Sequence, residues 1–396
     1  MRIAKRVLKL SPSMTLTIAD KAQKMKLNNC DVISFATGEP DFDTPDCIKD
    51  EAIKWIKKGF TKYVASNGIL ELKEAIVKKL KSENGIEYLP SEILVCNGAK
   101  QAIYEACAAI VNSGDEVIIP APCWVSYIEQ VKLFDGVPVL VPTKEQDNFR
   151  LYAKDLEAHV TPMTKAIILN SPNNPTGAII QKEELEKISE IAVKNNIFVI
   201  SDEVYELLVY NDKKCYSIGA LNDEIKRLTI TINSFSKSYC MTGWRVGYAA
   251  ADKKIINAMA DIHGHITGNV NSMSQKASLG ALINFHDFKP MINEYKKRCK
   301  IMVDRFNNIP GVSCNYPDGA FYVYPNVTEY YGKRFNGKTI KTSFDLAEYL
   351  LESAHVACVP GDAFGMDGYI RFTFAIAQER MEEGLNRIEK ALRFLE

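Results

Sequence analysis

The chain has 396 residues, 46% of them hydrophobic and 25% charged, and its 49 basic side chains equal its 49 acidic ones in number. This length exceeds what a single hydrophobic core usually serves, so one large and one smaller domain are expected. A net charge of zero gives no basis for binding to nucleic acid or to a membrane surface. No apolar run is long enough to span a bilayer, and the first residues lack the apolar block of a secretory signal.

The ten cysteines are scattered along the chain and form no C-x-x-C pair. Several of them, such as Cys96, Cys107 and Cys358, lie in apolar runs, where a buried and reduced thiol is expected. Reduced thiols favour a reducing compartment. We therefore expect the protein in the cytoplasm, with organellar import of a longer precursor as the alternative.

The first 45 residues predict an N-terminal arm and a loop that leads into the first domain. That loop ends in Gly38–Pro45, where two prolines and a glycine within eight residues exclude regular structure. Apolar residues with helical spacing follow at 45–58, and a second helix is predicted up to Leu80.

From Glu92 onward, short apolar strands alternate with amphipathic helices. The strands are predicted at 93–96, 116–119, 137–141, 166–169, 197–200, 228–232 and 248–250. The helices between them are predicted at 99–111, 124–134 and 182–194. This alternation is typical of an α/β protein with a mostly parallel, seven-stranded sheet covered by helices.

The rest of the chain mixes both kinds of element and predicts a smaller α+β domain. Its strands are predicted at 321–324, 356–359 and 369–374. Helices are expected from Lys253 onward and at 288–307, 344–353 and 378–395. We therefore divide the chain into an arm over 1–45 that packs with the small domain, a large domain over 46–285 and a small domain over 286–396.

Candidate site residues follow several of the predicted strands. They are Gly98–Lys100, Asn174, Asp202, Tyr205 and Lys237. Ligands of a parallel sheet bind beyond the carboxyl ends of its strands. These residues are therefore expected to meet at one site.

Lys237 lies in the hydroxyl-rich segment Asn233–Gly247. Its amine could carry a Schiff base, while Ser234, Ser236 and Arg245 have the chemistry to hold a phosphate. Pyridoxal phosphate is the cofactor that needs an imine-forming lysine and a phosphate site close together. An ordinary surface lysine in a polar loop is the alternative.

Three other candidates each have a structural alternative, and a fourth, Arg371, does not. Asp202 is either a helix cap or the partner of a buried cation such as a protonated pyridine nitrogen. Tyr205 could donate to a ring oxygen or simply pack, and Trp124 could lie on an aromatic ring or belong to the core. Arg371 is more specific, because a charge inside an apolar strand needs a partner, and a substrate carboxylate would supply one.

Two further patterns are expected to carry no chemistry. Gly332–Thr339 fits the phosphate-loop pattern G-x-x-x-x-G-K-[ST], but it does not follow a strand directly. The next helix begins later, at the capping pattern Thr342–Asp345, so we expect a solvated basic loop. His263 and His265 are two residues apart and do not share a helical face, so no metal site is expected.

The ordered motifs resemble one family nearly from end to end. They are Gly38–Pro45, Lys62–Tyr63, Gly98–Gln101, Trp124–Tyr127, Ser171–Gly177, Ser201–Tyr205, Ser236–Lys237, Gly243–Gly247 and Arg371. The chain resembles the class I pyridoxal-phosphate aminotransferases with the aspartate aminotransferase fold, which is fold type I of these transferases. Within that family it is most similar to the bacterial-type aspartate aminotransferases.

The resemblance implies a cofactor role for each residue. Lys237 would hold the cofactor as an aldimine and then move a proton as general base and acid. Asp202 would keep the pyridine nitrogen protonated, so that the ring acts as an electron sink. The remaining implied contacts are Tyr205 and Asn174 to the ring oxygen, Trp124 stacked on the ring, and Ser234, Ser236, Arg245 and the helix start at Ala99–Lys100 around the phosphate.

The same resemblance implies how substrate and partner subunit bind. Arg371 would clamp the α-carboxylate with help from Asn174, the Gly38 backbone and Trp124. Lys100 and Ser13 would bind a distal carboxylate. Tyr63 would reach the phosphate of the neighbouring subunit, which makes the expected assembly a homodimer with shared sites.

The implied reaction is a ping-pong exchange of an amino group between aspartate or glutamate and 2-oxoglutarate or oxaloacetate. The segment 262–269, with His263 and His265, departs from the family's Ser/Thr/Gln-rich pattern, so the two histidines could retune the substrate set. A preference for prephenate, kynurenine, alanine or aromatic substrates therefore stays open, as does a β-lyase reaction. A non-enzymatic regulator is not favoured, because the chain has no DNA-binding appendage.

Overall fold

The computed structural model describes residues 3–10, 14–210 and 212–395, and it begins with helices that the sequence patterns did not predict. They are α1, Lys5–Leu8, and α2, Met14–Leu27, and the strand β1, Ile33–Ser34, follows them. Ile18 and Ala22 of α2 are buried, one helical turn apart. They pack in one cluster with residues near the C-terminus such as Leu351 and Phe364.

Two further helices, both predicted, lie between β1 and the main sheet. They are α3, Asp46–Lys57, and α4, Leu70–Lys79, which continues as a π-helical turn over Leu80–Asn84. Ile48 and Ala52 of α3 and Leu72 and Ile76 of α4 are their buried apolar faces. Each pair is four residues apart, which is the spacing that places side chains on one face of a helix.

The central sheet has the seven strands that were predicted, within a few residues at each end. They are β2, Ile93–Cys96; β3, Glu116–Ala121; β4, Val137–Pro142; β5, Thr164–Asn170; β6, Phe198–Asp202; β7, Thr229–Ser234; and β8, Gly247–Ala250. Their order is β2-β8-β7-β6-β5-β3-β4. All neighbours are parallel except β8, which runs antiparallel to both β2 and β7. The predicted mostly parallel sheet is confirmed.

Helices cover the sheet because both of its faces are apolar. They are α5, Ala99–Ile110; α6, Val125–Leu133; α7, Ala153–Glu157; α8, Lys182–Asn195; α9, Asp223–Leu228; α10, Lys253–Ile266; and α11, Ser272–Asn284. On β2, Leu94 and Cys96 enter one core cluster, whereas Ile93 and Val95 enter another. Successive strand residues point to opposite faces, so a strand that is apolar at every position is buried on both.

Helix α11 is another element that the sequence patterns missed, as are the short helices α7 and α9. Its buried residues include Gln275, Lys276 and Ser278, so it lacks an apolar stripe of helical period. The Gln275 amide satisfies its own polar groups, because its nitrogen donates to the Val270 carbonyl at 2.8 Å and its oxygen accepts from the Ile69 N–H at 2.8 Å. A buried polar helix of this kind gives no periodic signal.

The C-terminal part contains short strands and three long helices. They are α12, Lys289–Asn307; β9, Tyr322–Val323; β10, Arg334–Phe335; β11, Lys338–Thr339; α13, Ser343–Ala354; β12, Val356–Ala357; β13, Val359–Pro360; β14, Ile370–Thr373; and α14, Gln378–Arg393. β13, β14 and β9 form an antiparallel sheet, whereas β12 pairs with β1. The strand predicted at 356–359 therefore divides at Cys358 between two sheets.

The phosphate-loop pattern Gly332–Thr339 forms a β-hairpin. Strands β10 and β11 pair antiparallel, and Asn336 and Gly337 between them have φ values of +46° and +79°. Positive φ at both central residues is the signature of a type I′ turn, for which Asn-Gly is the preferred sequence. The expected solvated loop is thus a regular hairpin. The capping pattern is confirmed, since Thr342 and Asp345 bond reciprocally at the start of α13.

All ten cysteines are free thiols, and most are buried. Burial raises the pKa of the Cys107 and Cys123 thiols to about 12. Within the described ranges, every helix is too short or too polar to cross a lipid bilayer.

Candidate active site

A cleft of about 410 Å³ lies at the carboxyl ends of the parallel strands. The predicted site residues that line it are Gly38, Ala99, Lys100, Trp124, Asn174, Asp202, Tyr205, Ser234, Ser236, Lys237, Arg245 and Arg371. Tyr63 does not line it and is 97% exposed. Ser13 falls outside the described residues. The structure therefore brings together residues that are up to 333 positions apart, from Gly38 to Arg371.

Lys237 lies three residues beyond the end of β7, and its Nζ donates a hydrogen bond to the Gly38 carbonyl. Burial of the ammonium group lowers the pKa of Lys237 to about 8. The positive charges of Arg371 and Arg245 act in the same direction, while Glu39 and Asp202 oppose them. A substantial fraction of the amine is therefore neutral near pH 8, which is the form that reacts with a carbonyl.

Asp202 is the last residue of β6 and is only 3% exposed. Burial raises its pKa to about 6, against hydrogen bonds from Tyr127 and from the Val204 N–H. The Tyr127 hydroxyl donates to the carboxylate at 2.6 Å. A buried carboxylate is stabilised by a cation beside it, and a protonated ring nitrogen would supply that cation.

An anion cradle is formed where β2 turns into α5. Gly98 has a φ of +81°, and a Cβ there would lie 2.6 Å from the Arg245 Nη2 atom. A Cβ at Gly247 would lie 2.6 Å from the Ala99 nitrogen. Both glycines are therefore required, because the guanidinium and the backbone approach the start of α5 without room for a side chain.

Hydrogen bonds within the protein orient the donors around this cradle. The Arg245 Nη1 and Nη2 atoms donate to the carbonyls of Thr242, at 2.8 Å, and Asn97, at 3.2 Å. The Ser234 hydroxyl donates to the Ser236 hydroxyl at 2.7 Å. A guanidinium, two hydroxyls and a helix N-terminus together make a donor set that matches a phosphate group.

Arg371 lies in β14 and is 5% exposed. Its Nη1 donates to Asn174 at 3.0 Å and its Nη2 to the Ala36 carbonyl at 2.7 Å, but its Nε has no hydrogen-bond partner among the described residues. The guanidinium faces neutral acceptors only, so its charge is uncompensated by any of the side chains bonded to it. A carboxylate that enters the cleft would supply the missing partner.

Lys100 and Trp124 lie together at the mouth of the cleft, with the Lys100 Nζ 4.8 Å from the centre of the indole ring. Partial burial of the ammonium group, with the nearby Arg245, lowers the pKa of Lys100. Trp124 itself is neither in the core nor fully exposed, and it lies directly before α6.

Several cleft residues were missed by sequence reasoning. They are Glu39, Tyr127, Asn170, Thr242 and Tyr322. Asn170 carried a usable signal, because it ends β5 next to Asp202 and donates to the Asp202 carbonyl at 3.0 Å. Tyr127 also carried a signal in the sequence, because it follows the candidate Trp124 by three residues and so lies on the same side of the predicted helix. Tyr322 gave no signal, since an aromatic residue in an apolar strand is indistinguishable from core.

His263 of α10 is completely buried outside the cleft, where it contacts Glu105 of α5 near Cys96 of β2. Its Nδ1 lies 2.8 Å from the Glu105 carboxylate, which also accepts from the Cys96 thiol at 3.3 Å. These three side chains offer ligand atoms within 4.8 Å of one another, although no metal site was expected from the histidine spacing. With the His263 proton on Nδ1, the carboxylate accepts hydrogen bonds from both neighbours.

A sequence profile of the family described as aminotransferase class I and II matches residues 30–388. The chain belongs to this family, and it is an aminotransferase. The family predicted from the motifs is thereby confirmed.

Individual relatives cover the chain almost completely. The chain is 47% identical over 393 residues to the probable aspartate/prephenate aminotransferase of Aquifex aeolicus, with 98% of each chain covered. It is 44% identical over 391 residues to the aspartate aminotransferase of Geobacillus stearothermophilus, again with 98% of each covered. The aspartate aminotransferase structure from Rhizobium meliloti matches with a TM-score of 0.96 and 39% identity over the whole of both chains. These matches confirm the predicted transferase fold type I.

Proposed function

We propose that this aminotransferase uses pyridoxal phosphate to exchange an amino group between aspartate or glutamate and 2-oxoglutarate or oxaloacetate. The observation that carries the proposal is that one cleft joins the Lys237 amine, the buried Asp202, an anion cradle at Ala99 and Arg245, and the under-satisfied Arg371. The names of the similar proteins support the choice of dicarboxylic substrates.

The residues of the cleft fit this cofactor. The cradle at Ser234, Ser236, Arg245 and the start of α5 would hold the phosphate, and Asp202 would pair with the ring nitrogen. Once bound, the cofactor supplies an electron sink for the bond that breaks at the substrate α-carbon. Trp124 would cover the ring, and Tyr205 and Asn174 would donate to its oxygen.

Lys237 is the group that would move the proton. Burial lowers the pKa of its amine to about 8, so Nζ can accept a proton near neutral pH and return it. Its hydrogen bond to the Gly38 carbonyl holds Nζ at the floor of the cleft. The arrangement supports general acid–base catalysis by one mobile side chain.

Substrate binding is proposed for two cations. Arg371 would take the α-carboxylate as a bidentate partner, because Asn174 and Ala36 already fix its guanidinium plane. Lys100 at the cleft mouth would bind the distal carboxylate of aspartate or glutamate. Ser13 is proposed to assist Lys100 on the family resemblance alone.

We also propose a homodimer in which Tyr63 reaches the partner's phosphate site. Tyr63 is 97% exposed in the single chain, which leaves its ring without a protein neighbour to cover it. The exposed side chains of Ile53, Ile56 and Leu70 lie on α3 and α4, on either side of the Tyr63 loop. Exposed apolar residues around a site residue are suited to a subunit interface.

The division into an arm over 1–45, a large domain over 46–285 and a small domain over 286–396 also remains a proposal. It is supported by the contact of α2 with the C-terminal cluster around Leu351 and Phe364. A cytoplasmic location is proposed as well, in keeping with ten free cysteines.

Replacement of Lys237 tests the proposed function. The wild-type protein with pyridoxal phosphate should absorb in the visible range, and addition of aspartate should bleach that band. Lys237→Ala should still bind the cofactor through the phosphate cradle but lose turnover by at least a thousandfold, because no other amine replaces Nζ. Turnover close to the wild-type rate would contradict the assignment.

A panel of amino donors with 2-oxoglutarate would define the substrate. Aspartate should give the highest kcat/KM with 2-oxoglutarate, and glutamate is assayed with oxaloacetate, because its exchange with 2-oxoglutarate gives no net reaction. Prephenate is an oxo acid, so it is tested as the acceptor with aspartate or glutamate as the donor. Alanine, kynurenine and aromatic amino acids should be poorer, since Lys100 would have no distal carboxylate to bind. Release of pyruvate and ammonia without any oxo acid would instead indicate a β-lyase.

A further inference from the structure

Tyr322 lies in the cleft, but the proposed function assigns it no role. It is 1% exposed, it belongs to β9, and it pairs with Thr373 of β14, two residues from Arg371. Its side chain nevertheless lines the cleft rather than the core alone. Its strand pairs with β14, which carries Arg371, and its hydroxyl lies beside that of Tyr205.

The hydroxyl of Tyr322 lies 3.0 Å from the hydroxyl of Tyr205. Burial raises the pKa of both phenols, so each keeps its single proton at neutral pH. In such a pair one hydroxyl donates and the other accepts. If Tyr205 directs its proton to the cofactor's ring oxygen, then Tyr322 is the donor to Tyr205, and this bond polarises Tyr205 as a stronger donor.

The ring of Tyr322 covers Arg371. The guanidinium carbon lies 4.4 Å from the centre of the Tyr322 ring and 5.1 Å from that of Phe364. Aromatic rings at these distances attract the cation and restrict the orientation of its plane. A Cβ on Gly38 would lie only 2.8 Å from the Tyr322 hydroxyl, so the glycine leaves room for this hydroxyl.

We propose that Tyr322 is a positioning residue that joins the two halves of the site, orienting Tyr205 through its hydroxyl and Arg371 through its ring. The proposal rests on the proposed function, since it assigns the two partners their cofactor and substrate roles. The hydroxyl and the ring of Tyr322 would then act independently of each other. Removal of the hydroxyl alone should affect only Tyr205, whereas removal of the whole ring should affect Arg371 as well.

Tyr322→Phe tests the hydroxyl. The loaded enzyme's visible absorbance changes with pH as the nitrogen that links Lys237 to the cofactor loses its proton. Donation from Tyr205 draws electron density from the ring oxygen and so disfavours that proton. Weaker donation should therefore raise the midpoint of the absorbance titration, by about half a pH unit for one neutral hydrogen bond. Tyr205→Phe should raise it further.

Tyr322→Leu tests the ring. Loss of one aromatic face of Arg371 should weaken the binding of maleate, an unreactive dicarboxylate, by about tenfold. Tyr322→Phe keeps the ring and should bind maleate within about twofold of wild type. Phe364→Leu is the matched control, because Phe364 covers Arg371 but has no hydroxyl near Tyr205. It should weaken maleate binding and leave the absorbance midpoint unchanged.

The proposal is overturned if Tyr322→Phe leaves the midpoint at the wild-type value, or if Tyr322→Leu binds maleate as wild type does. A shift of the midpoint in Phe364→Leu as large as that in Tyr322→Phe would also overturn it, because it would indicate general loosening of the cleft. The titration uses loaded protein without an amino acid. It therefore tests Tyr322 separately from donor preference, on which the aspartate assignment depends.

Discussion

Lys237 and Asp202 are buried groups whose pKa values are displaced in opposite directions, to about 8 and about 6. Each displacement has burial as its largest cause, because a low-dielectric site disfavours both the ammonium and the carboxylate. The two groups therefore cost the cofactor-free fold some stability near neutral pH. A cationic ring nitrogen beside Asp202 would remove part of that cost, which is a common property of functional sites.

This cost predicts a pH-dependent stability difference. The folded state lowers the pKa of Lys237 from 10.5 to about 8, so between these values the folded amine has lost a proton that the unfolded chain still binds. Stability of the wild type should therefore rise with pH through that window. Cofactor-free Lys237→Met should be more stable than wild type at pH 7, by about 1–2 kcal/mol.

Thermal unfolding at pH 7 and pH 10 checks this prediction. The advantage of Lys237→Met should shrink at pH 10, where most of the wild-type amine is neutral in the fold. Lys78→Met, at an exposed position of α4, should show no such change. An advantage of Lys237→Met that is equal at both pH values would show that the buried charge is not its cause.

The strand-to-helix junction at Gly98 is the element on which cofactor affinity should depend most. Gly98→Ala would place a Cβ 2.6 Å from Arg245 Nη2, and the flexible guanidinium would have to leave the cradle. We expect the affinity for pyridoxal phosphate to fall by at least tenfold, because one charge-assisted donor is lost. Titration of the visible absorbance with the cofactor measures this.

Gly114→Ala is the matched control for that junction. Gly114 has a similar φ of +88°, but a Cβ there would meet nothing within 4 Å. It should lose about 1 kcal/mol of stability through backbone strain and keep the wild-type cofactor affinity. Equal losses of affinity in the two variants would mean that strain, and not the displaced guanidinium, is responsible.

The elements that could be predicted are those with a local signal. The seven sheet strands are mostly apolar runs, and all but the edge strand β4 are largely buried. The candidate residue Asp202 ends one of them, and Lys237 follows another closely. Helix α11 could not be found, since its buried Gln275 and Ser278 erase the apolar period. Tyr322 could not be found either, because its role depends on Tyr205 and Arg371, which only the tertiary fold brings near.

At the scale of the whole molecule, the exposed Tyr63 leads to a prediction about subunit mixing. Tyr63→Ala and Lys237→Ala should each be poorly active as pure proteins, for different reasons. In a mixed dimer, the site that retains its own Lys237 would receive Tyr63 from the other subunit. Mixing should therefore restore on the order of a quarter of wild-type activity, because half of the dimers are mixed and each has one intact site.

Activity assays before and after exchange of subunits at equal concentrations check this expectation. Each variant mixed with wild type provides the control for subunit exchange itself. No gain of activity from the Tyr63→Ala and Lys237→Ala mixture would contradict a site that is shared between subunits.

The distribution of the thiols makes the protein suitable for site-selective labelling. Burial raises the pKa of Cys107 and Cys123 to about 12, and Cys96 is likewise buried, so reagents that need a thiolate will not reach them in the fold. Four thiols are half-buried, but burial raises the pKa of Cys215 and Cys240, which leaves Cys30, after α2, and Cys47, in α3. Fluorescent dyes on these two natural cysteines would follow the separation of the arm from α3 during turnover, with no engineered residue and no probe in the cleft.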